Sequence, residues 1–262
     1  MEVRAKKALG QHFLIDLNIS RKICDSISGG TVEHKDSVLE VGPGMGVLTQ
    51  FLLQRDDIVA YAAEIDSESV EYLHAHYPDL SPRLIACDFL KMNLRERFPE
   101  GVKIIGNYPY NISSQIFFKV VENRDLVPEC VGMIQKEVAV RMAEPPGSKS
   151  YGILSVLLQA WYDIEYLFTV NENVFNPPPK VKSAVIRMKR NATQSLDCDE
   201  QLFVKVVKAS FGQRRKMLRN ALKAVFGDFA GAEHRFFTER AERLSVADFV
   251  ELTQWVAENR VL

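Results

Sequence analysis

Asn107-Tyr108-Pro109-Tyr110 follows the largely apolar run Val102-Lys103-Ile104-Ile105-Gly106, and so sets an amide, a carbonyl and an aromatic ring at the end of a predicted strand. That combination suits a grip on a flat base through its exocyclic amine. The amino nitrogen of adenine or cytosine is a poor nucleophile because its lone pair is delocalised into the ring. A site that alkylates it must accept the amine's hydrogens and restore electron density at nitrogen. Asn107 Oδ1 can take one hydrogen. Pro109 biases Tyr108 toward extended backbone, which aims the Tyr108 carbonyl into the same space as a second acceptor, and Tyr110 can stack on the base. Asn and Pro are also ordinary turn residues, so by itself the tetrapeptide leaves a plain strand-ending turn open.

The elements that would position it carry a second constellation. Val38-Leu39-Glu40-Val41 runs into Gly42-Pro43-Gly44-Met45-Gly46 and then into a helical pattern. Strand, glycine turn and helix in that order let a ligand approach backbone that lacks Cβ atoms, and G-x-G-x-G is not the dinucleotide G-x-G-x-x-G. Glu64 ends the second strand, where an acid typically binds both hydroxyls of a ribose. Asp88, after Arg83-Cys87, can hydrogen-bond an adenine amino group, and Asn107 ends the fourth strand. Open α/β sheets bind ligands at these carboxyl ends. A nicotinamide dinucleotide and S-adenosylmethionine both fit such a scaffold. No Tyr-x-x-x-Lys pair or well-placed His emerges in residues 1–190 to relay a proton for hydride chemistry, which favours S-adenosylmethionine. His34, His74 and His76 read as surface residues.

With 262 residues, 47% of them hydrophobic, the chain can bury one large α/β core and a small appendage. Asp16 to Ile27 has apolar residues at helical spacing. Strand-like and helix-like segments then alternate: Ser37-Val41, Ile58-Glu64, Arg83-Cys87, Val102-Gly106 and Cys130-Ile134, with helices after Gly46 and from Ser67 and Ile112. This predicts βαβ units around a mostly parallel, Rossmann-like sheet. A helix over Ile153-Ala160 and strands over Ile164-Val170 and Val181-Lys189 would close it as an antiparallel hairpin. Past Arg190 apolar residues recur at three and four, predicting a small all-helical domain whose last helix is capped by Ser245 with Asp248. The predicted domains are 1–190 and 191–262.

Cys24, Cys87, Cys130 and Cys198 stand far apart, which argues against a zinc site or a disulfide framework. The basic N-terminus leads into no continuous apolar segment, and no stretch is long enough to span a bilayer. A reduced, cytoplasmic protein is expected, away from membranes. Net charge is only −1, yet between Lys180 and Lys223 there are twelve Lys/Arg against three acids. Such asymmetry fits a face presented to a polyanion, although a charge run is often just a solvated surface.

Taken in order, six segments resemble the ribosomal RNA adenine N6,N6-dimethyltransferases, the small-subunit dimethyladenosine transferase family. They are Lys6-Lys7-Ala8-Leu9-Gly10-Gln11-His12-Phe13-Leu14, Leu39-Glu40-Val41-Gly42-Pro43-Gly44, Gly106 to Ser114, Gln135 to Arg141, Phe175-Asn176-Pro177-Pro178-Pro179-Lys180-Val181 and Gln213 to Asn220. The resemblance implies that His12, Leu14, Gly42, Gly44, Glu64, Ile65, Asp88, Phe89 and Asn107 contact S-adenosylmethionine. It implies that Phe175 faces Tyr110 across the target adenine, each stacked ring being worth ~1–3 kcal/mol, and that Asn107, Tyr108, Pro109, Tyr110 and Phe175 form the catalytic group. Lys180, Arg214, Arg215, Lys216 and Arg219 would hold RNA.

The implied activity is dimethylation of two adjacent adenosines in the hairpin loop near the 3′ end of small-subunit rRNA, by a monomer acting on a small ribosomal subunit precursor. Adenine N6 would displace the sulfonium directly, losing its proton to water afterwards. The large-subunit rRNA adenine methyltransferases of antibiotic resistance share the N-x-P-Y and F-x-P-x-P-K-V elements and are the nearest alternative. A mainly non-catalytic ribosome-assembly factor is another, and a nicotinamide oxidoreductase a distant third. The family's commonest form is Asn-Leu-Pro-Tyr, so Tyr108 is a departure that could alter the pocket's shape.

Overall fold

Aliphatic runs bounded by Gly, Asp and Asn build the central sheet. In the computed structural model, which describes Lys6 and residues 9–229 and 231–259, the elements are β1 (Phe13–Leu14), α1 (Leu17–Asp25), β2 (Asp36–Val41), α2 (Thr49–Leu52), β3 (Ile58–Glu64), α3 (Ser67–His76), β4 (Leu84–Ala86), α4 (Leu94–Arg97), β5 (Lys103–Asn107), α5 (Ser113–Glu122), β6 (Glu129–Gln135), α6 (Lys136–Ala143), α7 (Ile153–Gln159), β7 (Tyr162–Val170), β8 (Phe175–Asn176), β9 (Ser183–Arg190), α8 (Glu200–Gly212), α9 (Leu218–Phe226) and α10 (Val246–Asn259). Lys7 and Ala8 of the arm motif lie outside the described residues.

Seven strands form one sheet in the order β4-β3-β2-β5-β6-β9-β7. β2 runs parallel to β3 and β5, β3 to β4 and β5 to β6, while β9 runs antiparallel to β6 from Glu129↔Lys189 to Gln135↔Ser183. The parallel strands therefore share one carboxyl edge, where Val41, Glu64, Ala86 and Asn107 fall. Their centres are nearly continuous apolar runs, as in sheets covered on both faces: Val38, Leu39, Ile104, Ile105, Val131 and Met133 are fully buried. A second, two-stranded sheet pairs β1 with β8, Phe13↔Asn176 and Leu14↔Phe175. It ties the N-terminal arm to the segment before β9.

Local signals fix the helix starts. Asp16 Oδ1 accepts from the N–H groups of Asn18 and Ile19 at 2.9 and 3.0 Å, capping α1. Ser245 N–H donates to Asp248 at 2.8 Å and Asp248 N–H to Ser245 Oγ at 3.2 Å, the reciprocal cap expected for α10.

The chain forms two compact units, one of Met1–Ala139 with Asp163–Arg190 and one of Val140–Tyr162 with Asn191–Leu262. The boundary placed at 190 from the sequence assigns 140–162 to the sheet, whereas the structure groups them with the helices. Contacts along the segment give the reason. Within that second unit Trp161 packs edge-on against Phe203 at 6.2 Å, Asn191 N–H donates to Trp161 O at 3.1 Å, and Arg214 donates to Tyr151 O at 2.9 Å.

Candidate active site

At the carboxyl ends of β2 to β5 lies a cleft of about 210 Å³, walled by Gly42, Gly44, Glu64, Ile65, Asp88, Phe89 and the turn from Asn107 to Ile112, and covered by Leu9 to Phe13 of the arm. Gly42 adopts φ +70°, and a Cβ there would stand in open space at the cleft wall. Gly44, at φ +55°, lies so close under the Phe13 ring that a Cβ would approach it to 2.8 Å. Both positions require glycine, one for conformation and access, the other for close approach.

Glu64 is buried and held by backbone N–H groups: Gly44 donates to Oε2 at 3.0 Å, Ile65 and Asp66 to Oε1 at 2.9 Å each. Burial pushes its carboxyl up, against the pull of those three donors. Oε2 keeps an acceptor position for a further hydroxyl. Asp88 caps a short 3-10 turn by accepting from Leu90 N–H at 2.9 Å and leaves Oδ2 with only a loose approach of Lys91, 3.9 Å away. Exposed Ile65 and buried Phe89 stand beside the two acids as apolar walls.

The arm and the Asn107 turn are joined. Asn107 Nδ2 donates to the His12 carbonyl at 3.0 Å, so its Oδ1 is turned from that contact. The His12 ring stacks on Tyr110, centroids 5.4 Å apart and 29° between planes, and its Nδ1 lies 2.8 Å from Pro177 O. Tyr110 Oη is held by Ser183 Oγ at 2.6 Å. Tyr108 and Pro109 line the cleft between them, but the Tyr108 ring is fully buried, so its size is taken up by the core.

Two expected site residues lie elsewhere. Side chains alternate along the β1–β8 ribbon, so Leu14 and its partner Phe175 turn inward together with Ile23, Val170 and Val185. Both are almost completely buried and neither lines this cleft, although Leu14 borders a second one beside Gly42 and Gln50. Phe175 is thus a core residue here, and the ring opposite Tyr110 is His12. Phe13, the alternate residue, lines both clefts and was missed, because only the pairing of β1 with β8 sets it apart from Leu14. Lys6 was missed as well. Its Nζ lies 2.5 Å from Asp66 and 3.0 Å from Glu68, hydrogen bonds that raise its pKa and anchor the arm beside Glu64.

The basic run divides between the two units. Lys180 is exposed in the sheet unit, where Arg187 pairs with Glu165 and Lys189 approaches Glu129 to 4.0 Å. In the helical unit Arg214 donates to the carbonyls of Lys149 and Tyr151, and Arg219 pairs with Glu233 at 2.7 Å. Arg215 and Lys216 are exposed and have no ion pair among the described residues.

The mostly parallel sheet, its glycine turn after β2, the acid ending β3 and the Asn ending β5 define an S-adenosylmethionine-dependent methyltransferase. The cofactor fits the residues present: a free acceptor on Glu64 for ribose, Asp88 with Ile65 and Phe89 for adenine, and the bare backbone of Gly42. Residues 2–258 match the model of the family described as ribosomal RNA adenine dimethylase, and the chain belongs to that family. It is 58% identical over 258 residues to ribosomal RNA small subunit methyltransferase A of Bacteroides thetaiotaomicron, covering 98% of this chain and 95% of that one. The Porphyromonas gingivalis protein of the same name is 56% identical over 257 residues, covering 97% and 98%. In fold it is similar to a dimethyladenosine transferase from Plasmodium falciparum, with TM-score 0.77, 24% identity and 95% and 98% of the two chains covered. For the 23S rRNA methyltransferase ErmE the TM-score is 0.67, with 22% identity and 94% and 99% covered.

Proposed function

We propose that this protein dimethylates N6 of two adjacent adenosines in the 3′-terminal hairpin loop of small-subunit rRNA during small-subunit biogenesis, acting in the cytoplasm as a monomer on a precursor of the subunit. The observation that carries the reading is the Asn107 amide. One of its two N–H groups donates to the His12 carbonyl at 3.0 Å, and Oδ1 remains an acceptor at a cleft whose chemistry requires acceptors. When bound, S-adenosylmethionine supplies a methyl on sulfonium that a neutral amine can attack directly.

The chain's own residues orient rather than deprotonate. Asn107 Oδ1 and the Tyr108 carbonyl accept the two N6 hydrogens, and those bonds strengthen as the nitrogen becomes cationic. Tyr110, fixed through Ser183 Oγ, supplies the face on which the base stacks. The N6 proton leaves to water. Lys180, Arg214, Arg215, Lys216 and Arg219 are the RNA contacts, with Arg215 and Lys216 the least engaged within the protein.

High identity to proteins named small-subunit methyltransferases, against 22% to ErmE, favours the small-subunit target over the large-subunit one. Mass spectrometry of the loop from cells with and without the protein tests the proposal: unmethylated adjacent adenosines in the deletion, restored by the gene, are expected, and an unchanged loop would overturn it. The same rescue with an Asn107→Ala protein separates methyl transfer from a docking role in assembly.

A further inference from the structure

Tyr108 is the largest side chain that the turn sends into the core, and it is fully buried. Its ring sits in space left by two glycines. A Cβ on Gly132 would come within 2.2 Å of Tyr108 Cε2, and one on Gly106 within 2.6 Å of Cε1. Phe117 closes the pocket edge-on at 5.7 Å. At the ring's far end Oη lies 3.1 Å from Val131 O and 3.2 Å from Cys130 Sγ, while Tyr108 N–H donates to Met133 O at 3.0 Å. Burial raises the phenol's pKa far above its ordinary value, so the hydroxyl keeps its proton and donates to the Val131 carbonyl. One residue between Asn107 and Pro109 is therefore tied to three residues of β6. A leucine in this position would have no hydroxyl and would be too short to fill the seat.

We propose that the Tyr108 side chain is a positioning residue: it pins the Asn107–Tyr110 turn to β6, with Gly106 and Gly132 as the seat of its ring, and so sets Asn107 and Tyr110 before the adenine arrives. This rests on the adenine-methyltransferase reading. Small displacements of positioned groups cost rate steeply. A ring that merely filled space would govern stability and leave turnover per folded molecule unchanged.

The test compares the full-length protein with Tyr108→Phe, Tyr108→Leu, Gly132→Ala and the Tyr108→Leu/Gly132→Ala double variant. Each is assayed for methylation of undermethylated small subunits and for hydrogen exchange of the turn's amides. Tyr108→Phe is expected to lower kcat about tenfold, with both KM values within about twofold of wild type, and to speed exchange in the turn. An unchanged kcat, or a loss carried by KM alone, overturns the proposal. The three atoms nearest a Gly132 Cβ all belong to the Tyr108 ring, so Gly132→Ala is expected to be deleterious alone and to recover activity when added to Tyr108→Leu. A double variant worse than Tyr108→Leu also overturns it. Wild-type turnover tests the methyltransferase reading separately. If wild type proved inactive, the exchange comparison, which needs no substrate, would decide the pinning.

Discussion

The His12 carbonyl accepts a hydrogen bond from the Asn107 side-chain amide at 3.0 Å, so a residue of the N-terminal arm holds the orientation of that amide. Asn107→Ala removes the acceptor and is expected to lower single-turnover methylation by about 10²-fold or more, in line with the loss of a preorganised transition-state partner. Binding to small subunits should stay within about twofold, since phosphate contacts dominate affinity. Substantial residual turnover would sink the assignment.

Gly42 stands at φ +70° beside open space on the cleft wall. Gly42→Ala should cost ~1–2 kcal/mol of stability from the left-handed backbone and put a methyl where the cofactor approaches. Calorimetry is expected to show S-adenosylmethionine affinity falling by more than about tenfold, beyond what the strain accounts for. Equal affinity in the folded variant would mean that the cofactor lies elsewhere.

Arg215 and Lys216 are exposed without ion pairs among the described residues, whereas Arg214 holds the carbonyls of Lys149 and Tyr151. Replacing Arg215 and Lys216 by alanine should weaken RNA binding and reduce the slope of log K against log salt by about 1.5 to 2, leaving the melting temperature unchanged. Arg214→Ala should instead cost about 1 kcal/mol of stability. Filter binding across a salt series, paired with thermal melts, distinguishes the two.

Glu40 is buried and accepts from Thr49 Oγ1 at 2.5 Å; burial raises its pKa from 4.5 to about 8. The folded state therefore keeps a proton that the unfolded chain releases from pH 4.5 upward. This contribution to stability is greatest below pH 4.5 and falls as pH rises toward 8, by on the order of a few kcal/mol. Glu40→Gln should flatten the fall between pH 5.5 and 7.5 in urea titrations; identical slopes for the two proteins would exclude Glu40 as its source.

Much of the sheet was legible because its strands are apolar runs closed by residues with a visible task. Ile58–Glu64 is placed as expected, and the acids and the Asn fall on one edge because parallel strands share a direction. The rest depended on long-range pairing. Nothing local distinguishes Phe13 from Leu14 until β1 meets β8 and the ribbon chooses which side chain faces the cleft. The same pairing turns Phe175 inward. Residues 140–162 are grouped differently for a related reason: α7 is an apolar helix, with Leu154, Val156, Leu157 and Leu158 buried, and only long-range partners, such as Phe203 against Trp161 just after it, place the segment with the helical unit. Tyr108 was legible as backbone but not as a side chain, since its fit depends on Gly132, a strand away.

The β1–β8 ribbon also sets a schedule for the newborn chain. Phe13 and Leu14 gain their strand partners only when Phe175 and Asn176, far later in the chain, have emerged, and β9 must then enter the sheet beside β6. The cover of the cleft is thus fastened only after the segment preceding β9 has been made. A nascent fragment carrying every residue of the glycine turn and the Asn107 motif would still lack a fastened cover over the cleft.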